Sequence, residues 1–99
     1  MNRAELTGRI VELGALRFTP AGIPVVDFRL EHESEQDEAG GRRKVTAEIG
    51  AVAFDAQARL LATRAMGSEV TVRGFLAAKR KGSKRLVLHV TDIEFSEGA

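Results

Sequence analysis

The chain has 99 residues, enough for one compact domain with a single core and too few for a second, so residues 1–99 are expected to fold as one domain. Its 15 Lys and Arg against 14 Asp and Glu leave a formal net charge of +1, and an apolar fraction of 43% suffices for hydrophobic collapse. With no cysteine there are no disulfides and no thiolate-held metals or clusters. The charged start Met1-Asn2-Arg3-Ala4-Glu5 is unlike a signal peptide, and no run approaches the roughly 20 apolar residues that span a bilayer, so a cytoplasmic protein without membrane contact is expected.

The first period-two run, about Glu5 to Leu13, sets Leu6, Gly8 and Ile10 on one face and Thr7, Arg9 and Val11 on the other. Thr19-Pro20-Ala21-Gly22-Ile23-Pro24 reads as a turn, because proline fixes one φ and glycine accepts a positive one. In the second run Val26, Phe28, Leu30 and His32 alternate with Asp27, Arg29, Glu31 and Glu33, as a half-buried strand requires. Acids crowd at Glu31, Glu33, Glu35, Asp37 and Glu38, and past that strand the acidic stretch with Gly40-Gly41 reads as an exposed loop. A third strand, about Arg43 to Ile49, is expected to point Val45, Ala47 and Ile49 inward and Lys44, Thr46 and Glu48 outward.

From Ala53 to Ala65 the period changes: Phe54, Ala58, Leu61 and Ala65 recur at helical spacing among many alanines, and Gly67 supplies a stop. Alternation resumes with Val70, Val72 and Leu76 against Thr71 and Arg73. The last run, about Lys84 to Phe95, changes parity between Val90 and Ile93, which implies a bulge. Ser96 to Ala99 are expected to fray.

Three strands, a short helix and two strands make an all-β chain, and the order favours a five-stranded OB-fold Greek-key barrel with the helix between strands 3 and 4. A small sandwich or an SH3-like barrel stays open from pattern alone. Gly8, Gly14 and Gly74 sit where a small barrel needs close backbone approach.

The residues offer no catalytic or metal set. His32 and His89 lie in strand runs with no second histidine at ligand spacing, and neither a phosphate-binding glycine loop nor a nucleophile elbow is present. No enzyme activity, metal or cofactor is expected.

Charge is where the sequence is most informative. Bases gather at Arg42-Arg43-Lys44 and again at Lys79, Arg80, Lys81, Lys84 and Arg85. The second group joins two strands expected to be antiparallel, and so forms a cationic hairpin tip. In an OB-fold that loop borders the oligonucleotide groove, where cations neutralise phosphates without reading sequence. Aromatic platforms for bases are scarce: there is no Trp or Tyr, Phe28 and Phe54 fall on core-phase positions, and Phe75 has outer-face parity unless a bulge at Gly74 reverses it. Phe18, beside Arg17 at the start of a turn, is the best candidate.

Several segments resemble the primosomal replication protein N family (PriB), itself related to bacterial single-strand binding proteins. They are Leu6-Thr7-Gly8-Arg9-Ile10, Phe18-Thr19-Pro20-Ala21-Gly22-Ile23-Pro24, Phe28-Arg29-Leu30-Glu31-His32, Val72-Arg73-Gly74-Phe75-Leu76 and Leu86-Val87-Leu88-His89-Val90. The resemblance implies a non-catalytic homodimer that binds single-stranded DNA and assists the primosomal helicase and a helicase-loading protein in replication restart. By position it puts nucleic-acid contacts on Arg17, Lys79, Arg80, Lys81, Lys84 and Arg85, to which Phe18, Lys44 and Thr46 are added as candidates. Where familiar members offer an aromatic residue on the third strand this chain has Thr46, and Glu33 replaces a basic residue ending the second. Both departures favour, as the alternative, an adaptor that contacts proteins more than DNA.

Overall fold

The structure is a computed structural model that describes residues 1–96. The elements in chain order are β1 (Ala4–Leu13), β2 (Arg17–Phe18), β3 (Pro24–Glu38), β4 (Gly41–Phe54), α1 (Ala56–Leu61), β5 (Glu69–Ala78) and β6 (Leu86–Phe95). The strands follow the order β1-β5-β6-β4-β3-β2, and a β1–β3 pairing closes the five long ones into a barrel. All pairs are antiparallel except β4–β6, which run parallel through Ala51↔Leu88, Val52↔His89 and Ala53↔Val90. This is the expected barrel with two-residue β2 added beside the Thr19–Pro24 turn. Pro20 and Gly22 (φ 83°) shape that turn, closed by a 2.8 Å bond from the Gly22 N–H to the Thr19 carbonyl.

Alternation explains the core. Ile10 of β1, Val26, Phe28 and Leu30 of β3, Val70 and Val72 of β5, and Leu88, Val90 and Ile93 of β6 all point inward and are buried. One end is plugged by Ala58 and Leu61 of α1, which packs on β3, β4 and β6. The parity change in β6 is a bulge: Arg73 pairs with Asp92 and Gly74 with Val90, leaving Thr91 unpaired. Gly74 permits the close approach there, since a Cβ on it would overlap the His89 carbonyl. Gly8 and Gly14 are likewise tight, with an added Cβ 2.9 Å from the Glu31 and Asp27 carbonyl oxygens.

Four expectations need correction. The acidic stretch is not a loop: β3 continues to Glu38 and pairs with β4 down to Gly41 as a two-stranded ribbon. Cross-strand ion pairs supply what a composition reading cannot see, and positive φ at Ala39 (51°) and Gly40 (81°) makes the tight two-residue hairpin turn. Secondly, Ala47 is exposed and Val45 and Ile49 only half-buried, because this half of β4 lies in or beside the ribbon; Ala51, Val52 and Ala53 are buried instead. Thirdly, the helix is six residues, not Ala53 to Ala65. Ladder pairs Val26↔Ala53 and Val25↔Phe54 hold the first two of those residues in β4, and past Leu61 a turn begins with a 3.0 Å bond from the Arg64 N–H to the Leu61 carbonyl. Lastly, the Ser96 N–H donates to the Glu69 carbonyl at 2.9 Å, so that residue is tied down, while the rest of the expected frayed end, 97–99, lies outside the described residues.

The barrel splays where the ribbon leaves it. Before Arg9, β1 pairs with β5 alone, and beyond Glu31, β3 pairs with β4 alone. His32 bridges the gap, its Nδ1 2.7 Å from the Thr7 carbonyl and its Nε2 2.8 Å from Ser34 Oγ. Among the described residues no helix is long and apolar enough to cross a membrane.

Candidate nucleic-acid interface

The finger between β5 and β6 is built by its own backbone. The Ser83 N–H donates to the Arg80 carbonyl at 2.9 Å with Gly82 at φ 81°, a type II turn. The Lys79 N–H reaches the Arg85 carbonyl at 2.8 Å, and the Arg85 N–H reaches Ser83 Oγ at 3.0 Å. Gly82 and Ser83 define the shape of the tip. The tip curls round an open recess of about 380 Å³ lined by Lys79, Arg80, Lys81, Gly82, Ser83 and Arg85.

What separates the two basic clusters is pairing. In the β3–β4 ribbon, Arg42 sits 2.7 Å from Glu35 and 3.4 Å from Asp37, Arg43 is 2.6 Å from Glu38, and Lys44 is 3.0 Å from Glu33. Nearer the barrel, Arg29 meets Glu48 at 2.7 Å and Arg9 meets Glu31 at 3.2 Å. The hydrogen bond to Glu48, opposed by slight desolvation, raises the Arg29 pKa above its ordinary value. By contrast, Lys79, Arg80, Lys81, Lys84 and Arg85 have no ion-pair partner among the described residues. An exposed pair contributes little to stability, yet it cancels the field that draws a polyanion. Of the two clusters, the finger is the one that offers its full charge.

The remaining candidates scatter. Arg17 forks onto Asp27 through Nε at 3.1 Å and Nη2 at 2.8 Å, so its charge is shared. Phe18 is 57% exposed on β2. Thr46 lies opposite Glu33 in the ladder and, like Lys44, belongs to the neutralised ribbon.

The aromatic shortage is partly made up by residues the sequence reading undervalued. Phe54 is not buried; it is 40% exposed and stacks on His89 with centroids 6.0 Å apart. Phe75 also stacks on the imidazole, at 4.9 Å, and each phenyl ring lies within 14° of the imidazole plane. Phe75 keeps the outward parity read for it, because the bulged residue is Thr91 on the partner strand and not Gly74. Next to the stack on the same outer face, Arg73 gathers Glu5 at 2.6 Å and Asp92 and Glu94 at 2.8 Å each. Hydrogen bonds to Glu94, Asp92 and Glu5 hold its pKa well above the ordinary arginine value.

Comparison with known proteins agrees with the barrel. Residues 2–92 match the model of a family described as another single-strand binding protein family. Replication restart protein PriB of Bordetella pertussis is 49% identical over 90 residues, covering 91% of this chain and 84% of that protein. The structure of PriB from Ralstonia solanacearum superposes with a TM-score of 0.88 at 35% identity, over 96% of this chain and 97% of the other. The single-stranded DNA binding protein of Thermus aquaticus, at 23% identity and TM-score 0.77, shares the fold over 99% of this chain and 51% of its own. From matched sequence, barrel topology and coverage together, the chain belongs to the PriB family within the single-strand binding proteins.

Proposed function

We propose that this protein binds single-stranded DNA and serves replication restart as an accessory of the primosomal helicase, passing the assembly on to a helicase-loading protein, in the cytoplasm and without catalysing a reaction. The observation that carries the reading is the set of five unpaired cations at the Lys79–Arg85 finger, on a barrel whose other basic cluster is neutralised. Each cation set against a phosphate releases a condensed counterion, which gives affinity without sequence preference and steep loss in salt.

A homodimer belongs to the same proposal. The free edge of β1 ahead of Arg9 presents unpaired backbone groups that a twofold copy can cover, and sedimentation at micromolar concentration is expected to give a dimer mass.

The test is anisotropy of a fluorescent oligothymidylate at low salt. Binding of the single strand but not of its duplex, weakened about tenfold or more by the Lys81→Ala/Arg85→Ala pair, supports the reading. A specific observation favours one competitor: in the ion-paired ribbon Lys44 is matched by Glu33, and Thr46 opposite that acid offers no ring for a base to stack on. If the double variant leaves oligonucleotide binding unchanged while helicase stimulation survives, the protein is an adaptor that contacts DNA weakly.

A further inference from the structure

We propose that Phe54, His89 and Phe75 form a nucleobase platform that carries an unpaired strand from the cationic finger across the outer face of β5, β6 and β4, in place of the β3–β4 face. This rests on reading the chain as a single-strand binder and assigns that strand its route.

The argument begins with what the β3–β4 face presents to a polyanion. Alternate residues of β3 place Asp27, Arg29, Glu31, Glu33, Glu35 and Asp37 on one side, and β4 adds Glu48, Lys44 and Arg42. Every cation there is already within ion-pair distance of a carboxylate. A phosphate arriving on this face must displace an acid that stays nearby, so little attraction is gained.

The opposite holds along β5 and β6. Side chains of a strand alternate, so Phe75, Ala77 and Lys79 share the outer face of β5 and its continuation, while His89, Val87 and Arg85 share that of β6. Phe75↔His89 and Ala77↔Val87 are ladder pairs. The rings therefore lead to the finger over two small apolar side chains, with Lys79 and Arg85 at the end of the track. Rings standing face to face, two of them about two-fifths exposed, offer edges and outer faces on which bases can continue the stack, and every base has a π-face.

The platform is bounded as well. Past Phe75 on β5, the Glu5, Asp92 and Glu94 carboxylates around Arg73 outnumber its charge and turn a polyanion away. A strand leaving the finger is thus steered sideways across His89 towards Phe54, which ends β4.

The experiment photocrosslinks the unaltered protein to an oligonucleotide carrying 5-iodouracil at low salt and maps the adduct by mass spectrometry. Adducts on Phe54, His89 or Phe75 are expected, together with oligothymidylate affinity at least about fivefold weaker in Phe75→Ala, whose fold is checked by circular dichroism. Adducts confined to Phe18 or to residues 27–48 of the β3–β4 face overturn the route. If Lys81→Ala/Arg85→Ala weakens binding in the same assay, the single-strand reading itself stands despite that. No binding by the unaltered protein even in dilute buffer overturns both.

Discussion

Lys44 Nζ stands 3.0 Å from the Glu33 carboxylate on the neighbouring strand, so the pair presents no net charge to a phosphate. Glu33 also faces Thr46 in the ladder, so one acidic side chain governs the middle of the ribbon. Glu33→Lys removes the acid, frees Lys44 and adds a second cation. Oligonucleotide binding is expected to tighten, and the plot of log K against log salt to steepen by about 0.7 for each further phosphate neutralised. Stability should move by less than about 1 kcal/mol, as for other exposed pairs. An unchanged slope would show that no strand reaches the ribbon even when it is made basic.

The ribbon turn stores strain in a residue that has no function there. Ala39 sits at φ 51°, a region in which a Cβ is unfavourable, beside Gly40 at φ 81°. Asn-Gly is the pair such a turn prefers. Ala39→Asn is expected to stabilise the protein by about 1 kcal/mol and to raise Tm by roughly 4–8 °C. Differential scanning calorimetry decides it, and a lower Tm would mean that the turn is not of this kind.

Gly74 is fixed by the Thr91 bulge opposite it. A methyl group there would overlap the His89 carbonyl, which is backbone and cannot step aside cheaply. Gly74→Ala is expected to cost at least about 2–3 kcal/mol and to lower Tm by roughly 10 °C or more. It should also disturb the Phe75–His89 stack, since both rings hang from the same ladder rungs. Near-native melting would argue against the bulge.

Arg73 ties β1, β5 and β6 together through Glu5, Asp92 and Glu94. Its pKa is raised by those hydrogen bonds, so the stability it contributes is present at all pH values below the ordinary arginine range and is lost only as pH climbs through the raised value, beyond any practical buffer. Salt is therefore the informative variable. Arg73→Ala leaves three acids unopposed and is expected to melt below the unaltered protein in dilute buffer, with the gap narrowing by about 1 M salt. Equal melting curves at both salts would remove the cluster from the stability account.

The barrel was legible because its strands alternate cleanly: Val26, Phe28 and Leu30 announce an inward face, and the Val90 to Ile93 parity change announces the bulge that β6 contains. The ribbon was not, because Glu35, Asp37 and Glu38 look like a loop until their partners Arg42 and Arg43 are set across from them, and pairing is a property of two strands. Phe54 misled for a related reason. Its spacing to Ala58 and Leu61 is helical, yet the ladder to Val25 keeps it in β4 and turns it outward. The finger could be read directly, since all its charge is local in sequence, whereas the contrast with Arg42-Arg43-Lys44 needed the folded chain.

The most direct test compares the salt dependence of oligothymidylate binding for the unaltered protein with that of a variant whose five finger cations are replaced by glutamine. With all five against phosphates, the unaltered slope approaches about −3.5 and the variant loses most of it along with its affinity. Equal slopes for the two proteins would contradict the assignment of the finger as the strand's electrostatic anchor.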